Sequence, residues 1–378
     1  MRGRSLRVGT VLVVSVVLGC SPAPTPSPSI TPPPTPADFV PWPDIVWAMA
    51  DLPAPPLAAA SERVVAITAT PDSFVAVGYR EMNDVRDGVV WRSPDGVEWD
   101  AIDDERFAGV EFVDVAPAPD GFDAFGVEDR GDRQFATLFQ SDDGNTWQRL
   151  PPLTSAADMF PGAIVGGANG VLATGWDADG EPVVWHSPDR RSFRRVTLAG
   201  PASSGLIDPQ AAGAGFVALG TSLRPPTLLH STDAEAWTAS MIDQRADIEA
   251  TTLAVGRWGL VAQGVAPPTC EDACPDTYIA WWSDDGDGWG AIQVKDSPLV
   301  DGVSLIVPAG EHGLLAVTGA DAWSSPDGWA WRPLPSPGDG SVSIDDAVAR
   351  GDVIVAVGAE NAEDGSSAAR ILVARQAN

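Results

Sequence analysis

Short apolar stretches closed by a glycine recur along the chain. They read Val75-Ala-Val-Gly78, Asp123-Ala-Phe-Gly126, Leu172-Ala-Thr-Gly175, Val217-Ala-Leu-Gly220, Val261-Ala-Gln-Gly264, Ala316-Val-Thr-Gly319 and Val355-Ala-Val-Gly358. Each follows a shorter apolar run such as Val64–Ile67 or Leu305–Val307. Each precedes a variable polar segment, and then a third run such as Val89–Arg92 or Ile279–Trp282. Runs of this length, bounded by Gly, Asp and Ser turns, predict β-strands.

A second pattern punctuates the first. Ser-x-Asp-Gly-x-x-Trp occurs with Ser93, Asp95 and Trp99, with Ser141, Asp143 and Trp147, with Ser283, Asp285 and Trp289, and with Ser325, Asp327 and Trp331. Two degenerate copies carry Ser187, Asp189 and Phe193, and Ser231, Asp233 and Trp237. The six copies are spaced by 42 to 52 residues. Gly and Asp suit tight turns, Ser and Asp side chains hydrogen-bond turn backbone, and the aromatic ring adds apolar surface beside each turn. Four strands and one aromatic turn per unit predict an all-β propeller of four-stranded blades.

Seven glycine-closed strands against six turns leave one blade without its turn. After Gly358 the chain offers one more strand, Arg370–Ala374. At the other end, residues 44–50 contain Asp44-Ile-Val-Trp47-Ala-Met49 and resemble an outer strand, with Trp47 in the position of Trp99 and Trp331. A seven-bladed ring over 44–378 is therefore expected, closed by an N-terminal strand that completes the last blade. A six-bladed ring with an unpaired terminal sheet is the alternative.

Residues 1–19 carry Arg2, Arg4 and Arg7 before an apolar run too short to span a bilayer, as in a signal peptide. The run ends at Val17-Leu-Gly-Cys20, which resembles a bacterial lipobox; the resemblance implies cleavage before Cys20 and its lipidation. Residues 20–43 are rich in Pro, Ser and Thr and predict an extended tether. The expected place is the outer face of the cytoplasmic membrane, with the lipid as the only membrane contact.

The net charge is −29, and losing the three leader arginines makes it −32. That excludes nucleic acid and anionic lipid as partners, since both select a basic face. Of the three cysteines, Cys270 and Cys274 are close enough in sequence to form a loop disulfide outside the cytoplasm. Zinc needs about four ligands, and His186, His230 and His312 lie far from this pair in sequence. No metal or cofactor is implied.

The turns resemble the Asp-box (BNR) repeat of sialidases, sortilin-like receptors and photosystem assembly factors, one residue shorter between Asp and Gly. The resemblance implies a structural role for the boxes, at turns remote from the ligand face. It also raises glycoside hydrolysis as an alternative function. The Arg-Ile-Pro motif of sialidases is absent, Arg370-Ile371-Leu being the nearest match, and Tyr79 and Tyr278 are the only tyrosines. A non-catalytic binding or scaffolding module, monomeric, with an envelope protein or glycan as partner, is the favoured reading. The variable segments Tyr79–Gly88, Val127–Gln134, Trp176–Pro182, Thr221–Pro226, Val265–Thr277 and Ala359–Ala368 would then form the recognition surface. Tyr79, Arg80, Trp176 and Arg224 are candidate contacts within it, by residue type.

Overall fold

The computed structural model describes residues 35–54, 61–131, 133–153, 159–221, 223–266, 277–292, 298–300, 305–318, 321–362 and 365–377. The leader, Cys20, and the Cys270–Cys274 loop lie outside the described residues. The described chain forms seven four-stranded antiparallel sheets. Its helical pieces are short 3-10 turns.

The sheets are the blades of a propeller. Blades 1 to 6 occupy residues 61–102, 110–149, 160–196, 206–241, 249–291 and 305–334, each with strands A to D in chain order. Blade 7 takes strands A to C from Val342–Arg350, Val353–Asn361 and Ser367–Gln376, and strand D from Ile45–Met49. Ile45 pairs with Gln376 and Met49 with Leu372, so the two ends of the chain meet in one sheet. The expected closure is what forms. Trp47, however, does not take the place of Trp99: it lies within strand D, and its indole donates to the Pro335 carbonyl at 2.9 Å.

The apolar core is seven separate clusters, each between two neighbouring blades. Phe74, Trp91 and Trp99 meet Val355 and Val373 between blades 1 and 7, for example, and Phe107, Phe112 and Phe139 stack edge-on between blades 1 and 2. A blade alone would leave both faces of its sheet wet. The glycine that closes strand B has a packing cause. Strand A bulges opposite it, between Val64 and Ala66 in blade 1 and between Ile344 and Asp346 in blade 7. A Cβ on Gly78 would sit 1.9 Å from the Arg63 carbonyl oxygen, and one on Gly358 would sit 1.8 Å from that of Ser343. Only a residue without a side chain lets the bulge close.

The Ser-x-Asp-Gly units are the C–D turns. In the box of blade 2, Asp143 Oδ1 accepts from the amides of Asn145 and Thr146, both at 2.8 Å. Ser141 Oγ accepts from the Gly144 amide at 2.8 Å, and the Trp147 indole donates to the Gly144 carbonyl at 3.1 Å. Asp95, Asp189, Asp233, Asp285 and Asp327 each accept two backbone amides in the same way. These bonds hold the carboxyls of Asp143, Asp233 and Asp285 below the usual range and take Asp189 down to about 2.

Each box also leans on the blade before it. Arg350 of blade 7 donates to the Pro94 carbonyl at 2.5 Å, Arg92 of blade 1 to that of Asp143 at 2.9 Å, and Ser240 of blade 4 to that of Gly286 at 2.7 Å. The degenerate box of blade 3 compensates for its missing glycine. Arg190 stands there with φ +61°, and its guanidinium reaches back to the buried Asp123 of blade 2 at 3.1 Å. Asp123→Leu removes both the charge and its need for a partner, whereas Arg190→Gly leaves the buried charge with no countercharge and only the Gln140 amide, at 3.1 Å, as a donor. The Arg190→Gly variant should therefore lose about 3 kcal/mol in urea unfolding, although glycine suits the turn better. Adding Asp123→Leu should recover most of that loss. No loss in Arg190→Gly would show that the pair does not hold the junction.

Candidate binding face

Antiparallel strands place the A–B and C–D turns at one end of the ring and the B–C and D–A connections at the other. The second end carries the predicted recognition surface, but its shape differs from expectation. Strands B and C of blade 1 run on through Met82 and Val85, joined by Asn83 and Asp84 with φ of +53° and +62°. Strands B and C of blade 2 likewise extend to Arg130 and from Arg133. Tyr79–Gly88 and Val127–Gln134 are therefore mostly hairpin strand, not loop. The tight turn at Asn83-Asp84, with residues that tolerate positive φ, was the available signal.

Tyr79 and Arg80 sit on strand B of blade 1 within a web of ion pairs. Arg80 bonds Glu62 and Asp103, each at 2.5 Å. Its Nη2 is buried without a hydrogen-bond partner. Arg86 lies over the Tyr79 ring at 4.8 Å and pairs with Glu81 at 2.9 Å and, across the junction, with Glu111 of blade 2 at 2.5 Å. Arg63 pairs with Asp345 of blade 7 at 2.7 Å. Arg224 pairs with Glu249 of blade 5 at 3.0 Å, and both are well exposed. Arg80 and Arg224, chosen by residue type, are thus committed to carboxylates, Arg80 within its own blade and Arg224 across the junction of blades 4 and 5. Arg224 and Trp176 sit on other blades from Tyr79 and Arg80, and no contact joins them.

Trp176 ends strand B of blade 3 and pairs directly with Phe160, the first residue of its strand A. Phe160 is 47% exposed. Met82 and Val85 are exposed beside the hairpin turn of blade 1, and Arg130 and Arg133 lie over Phe135 at the tip of blade 2. Exposed apolar side chains therefore stand on this end of blades 1 and 3, as does Met241 at the end of strand D of blade 4, with the half-buried Phe135 between blades 1 and 3. Phe160, Met82 and Val85 were missed in the sequence, where nothing separates an exposed apolar residue from a strand-core one.

The inner strands carry a feature that the sequence concealed. Asp346, Asp114 and Asp208 occur on strand A of blades 7, 2 and 4, at the bulges. Each accepts a backbone amide from the next blade: Ile67 at 2.8 Å, Ile164 at 2.7 Å and Leu253 at 2.7 Å. All three latch neighbouring inner strands. They are half-buried, yet the surrounding protein still denies them full hydration. Burial pushes Asp114 up to about 7 and Asp346 up to about 8 against the pull of their amide bonds, and it raises Asp208 as well. Asp208 further raises Asp114, and Asp114 and Asp208 further raise Asp346. Among the described residues no group of three or more His, Cys, Asp or Glu is placed to hold a metal ion.

No family model matches the sequence, and no curated protein matches it. Similar solved structures include a catalytically inactive virginiamycin B lyase from Staphylococcus aureus with quinupristin. Its TM-score is 0.55 at 11% identity, over 88% of this chain and 100% of that one. YCF48 bound to D1 peptide matches with a TM-score of 0.55 and 14% identity, over 91% of this chain and 99% of that one. The polysaccharide lyase Uly1 matches at 0.55 and 11%, over 83% and 90%. Likeness at these identities establishes the propeller fold alone. A Trypanosoma rangeli sialidase is also similar, at a TM-score of 0.44.

A carboxyl whose pKa is raised by folding stabilises the native state most fully below its unfolded value near 4, and that contribution drains away as pH climbs through the folded value. For Asp114 and Asp346 the loss runs from about pH 4 to about 8. Asp346→Asn keeps an acceptor for the Ile67 amide without the charge. It should raise Tm by roughly 2–6 °C at pH 8.5 and leave it unchanged at pH 4. Equal effects at both pH values would refute a buried, raised carboxyl.

Proposed function

We propose that this protein is an extracytoplasmic, lipid-anchored propeller that binds a protein or glycan partner through the B–C end of blades 1 to 3 and performs no catalysis. The carrying observation is the division of labour on that end. Arg63, Arg80 and Arg86 there are tied to carboxylates, within blade 1 and across its junctions with blades 7 and 2, while Phe160, Met82 and Val85 stand exposed on rigid strand ends. Rigid apolar and aromatic groups are what a recognition surface spends least entropy to present.

The chemistry of a sialidase-like hydrolase argues the other way. That reading asks for arginines free to grip a substrate carboxylate, but Arg63, Arg80 and Arg86 already grip Asp345, Glu62, Asp103, Glu81 and Glu111. YCF48, with the same fold, has been solved holding a peptide, which shows that this ring shape accommodates such a ligand. The anchored part of the proposal rests on the basic leader and the lipobox-like Val17-Leu-Gly-Cys20. Two or three acyl chains at Cys20 would hold the protein stably where one holds only marginally.

Two experiments test the two halves. Cys20→Ser in the source organism should shift the protein from the membrane to the soluble fraction; an unchanged distribution would overturn the anchor. Affinity capture from envelope extract should enrich a partner with the native ectodomain. Phe160→Ser combined with Val85→Asp should lose it while melting within a few degrees of native. Capture that survives both substitutions would remove these blades from the interface. Hydrolysis of a glycoside substrate by the ectodomain would overturn the non-catalytic reading.

A further inference from the structure

The residues just before the closing strand are not free tether. Residues 38–43, expected to belong to the Pro-rich spacer, lie across the A–B end of the ring. The Val40 amide donates to the Glu311 carbonyl at 2.9 Å, and the Val40 carbonyl accepts from His312 Nδ1 at 2.8 Å. Trp42 stacks on the His312 ring, with centroids 4.0 Å apart and planes 21° off parallel. Farther out, Phe39 meets the edge of Trp258 at 6.1 Å, and Asp38 pairs with Arg257 at 2.5 Å. His312 itself is fully buried, with Nε2 3.1 Å from Asp352 of blade 7.

The path of this strap follows from those partners. Glu311 and His312 join strands A and B of blade 6, and Arg257 and Trp258 join strands A and B of blade 5. A–B turns connect the two innermost strands, so they surround the axis at their end of the ring. The strap therefore runs inward from the outer edge of blade 7, over blade 6, and reaches blade 5 near the axis. It also takes the place of the missing box. Each box rests on the blade before it, and the strap of blade 7 rests on blade 6.

We infer that the strap sets the orientation of the propeller on its membrane, with the A–B end toward the bilayer and the B–C end facing away. This inference rests on the anchored reading above. A chain held at Cys20 must enter the body at residue 38, near the axis of the A–B end. To invert the ring, the connecting segment would have to run outward past the rim and along the full height of a blade. The acidic body, at −32, gains nothing from lying on anionic headgroups and stands off at the length of the tether. The partner of blades 1 to 3 is then a macromolecule on the far side from the lipid, not a lipid headgroup.

The test separates orientation from lipidation by supplying the anchor. The ectodomain from residue 21, with a hexahistidine tag in place of the Cys20 lipid and with Cys270→Ser and Cys274→Ser, is bound to vesicles of nickel-chelating and neutral lipid. One dye is placed at Asp120→Cys, in the A–B turn of blade 2, or at Asp179→Cys, in the B–C loop of blade 3; acceptor lipid reports its distance from the bilayer. Energy transfer should be at least twofold greater from position 120. Deleting residues 24–34, which takes up slack, should widen the gap. Asp38→Ala with Trp42→Ala should narrow it, with circular dichroism confirming that the ring still folds. Equal or greater transfer from position 179 in the shortened form would overturn the inference. Because the tag replaces the lipid, a failure of the Cys20→Ser experiment leaves this result standing, and the converse also holds.

Discussion

A four-stranded blade in isolation exposes both faces of its sheet, and the fold is stable only because every face finds a neighbour. Around a ring that condition is circular: blade 1 needs blade 7 as much as blade 2. The pairing of Ile45–Met49 with Ser367–Gln376 is therefore the constraint on which the other contacts depend. It sets an outer strand from the start of the domain against an inner trio from its end, so no blade can open at an edge without breaking seven-fold continuity. The Val64–Ile67 strand, Trp91 and the Asp345–Arg63 pair all lie at the junction that this closure makes. The strap over His312 extends the same closure to the opposite end of the ring.

The aspartates divide into two populations with opposite electrostatics. Asp143, Asp189, Asp233 and Asp285 sit at solvent-facing box turns, accept two amides each and favour the ionised form, so they steady the fold at pH values above about 4. Those on the inner strands accept amides too, but burial dominates, with repulsion adding to it at Asp114 and Asp346, and they steady the fold toward acid. A chain carrying −29 thus places box carboxylates where hydration is cheap at five of the six turns, Asp327 being buried, and carboxylates where it is costly at three latches. The inner latches tie blade 7 to 1, 2 to 3 and 4 to 5, which are junctions where a bulge leaves an amide free to be claimed.

Much of this was legible in the sequence, and the boundary has physical causes. Blade number and closure could be read because bulge glycines such as Gly78 and box residues such as Asp143 are dictated by local geometry, which repeats. The inner latches could not be read, because Asp114 lies in an apolar stretch and Asp346 beside Asp345, and nothing in either sequence marks the acid that faces the axis. Arg190 was visible only as a departure from the box, and its reach to Asp123 joins two blades through positions 67 residues apart. Tyr79 and Arg80, expected in a loop, lie on strand B, and their partners Glu62, Asp103 and Arg86 come from three segments that only the fold brings together. The tether was read too far: composition marks residues 38–43 as spacer, and their contacts with Arg257, Trp258 and His312 are wholly tertiary.

What the ring leaves unused decides what it can do. Lyases and a peptide-binding protein share this fold at identities near 11–14%, so the ring itself is neutral as to chemistry. A catalytic site needs charged groups held ready and unpaired, with their desolvation met by the rest of the structure. Here Arg63, Arg80 and Arg86 of the B–C end are committed to carboxylates, within blade 1 and across its two junctions, and freeing one for a substrate would leave its carboxylate unpaired. Exposed apolar side chains carry no such obligation: Phe160 and Val85 can be covered by a partner without breaking any contact within the ring. A surface whose charges are structural and whose apolar groups are spare favours binding over chemistry.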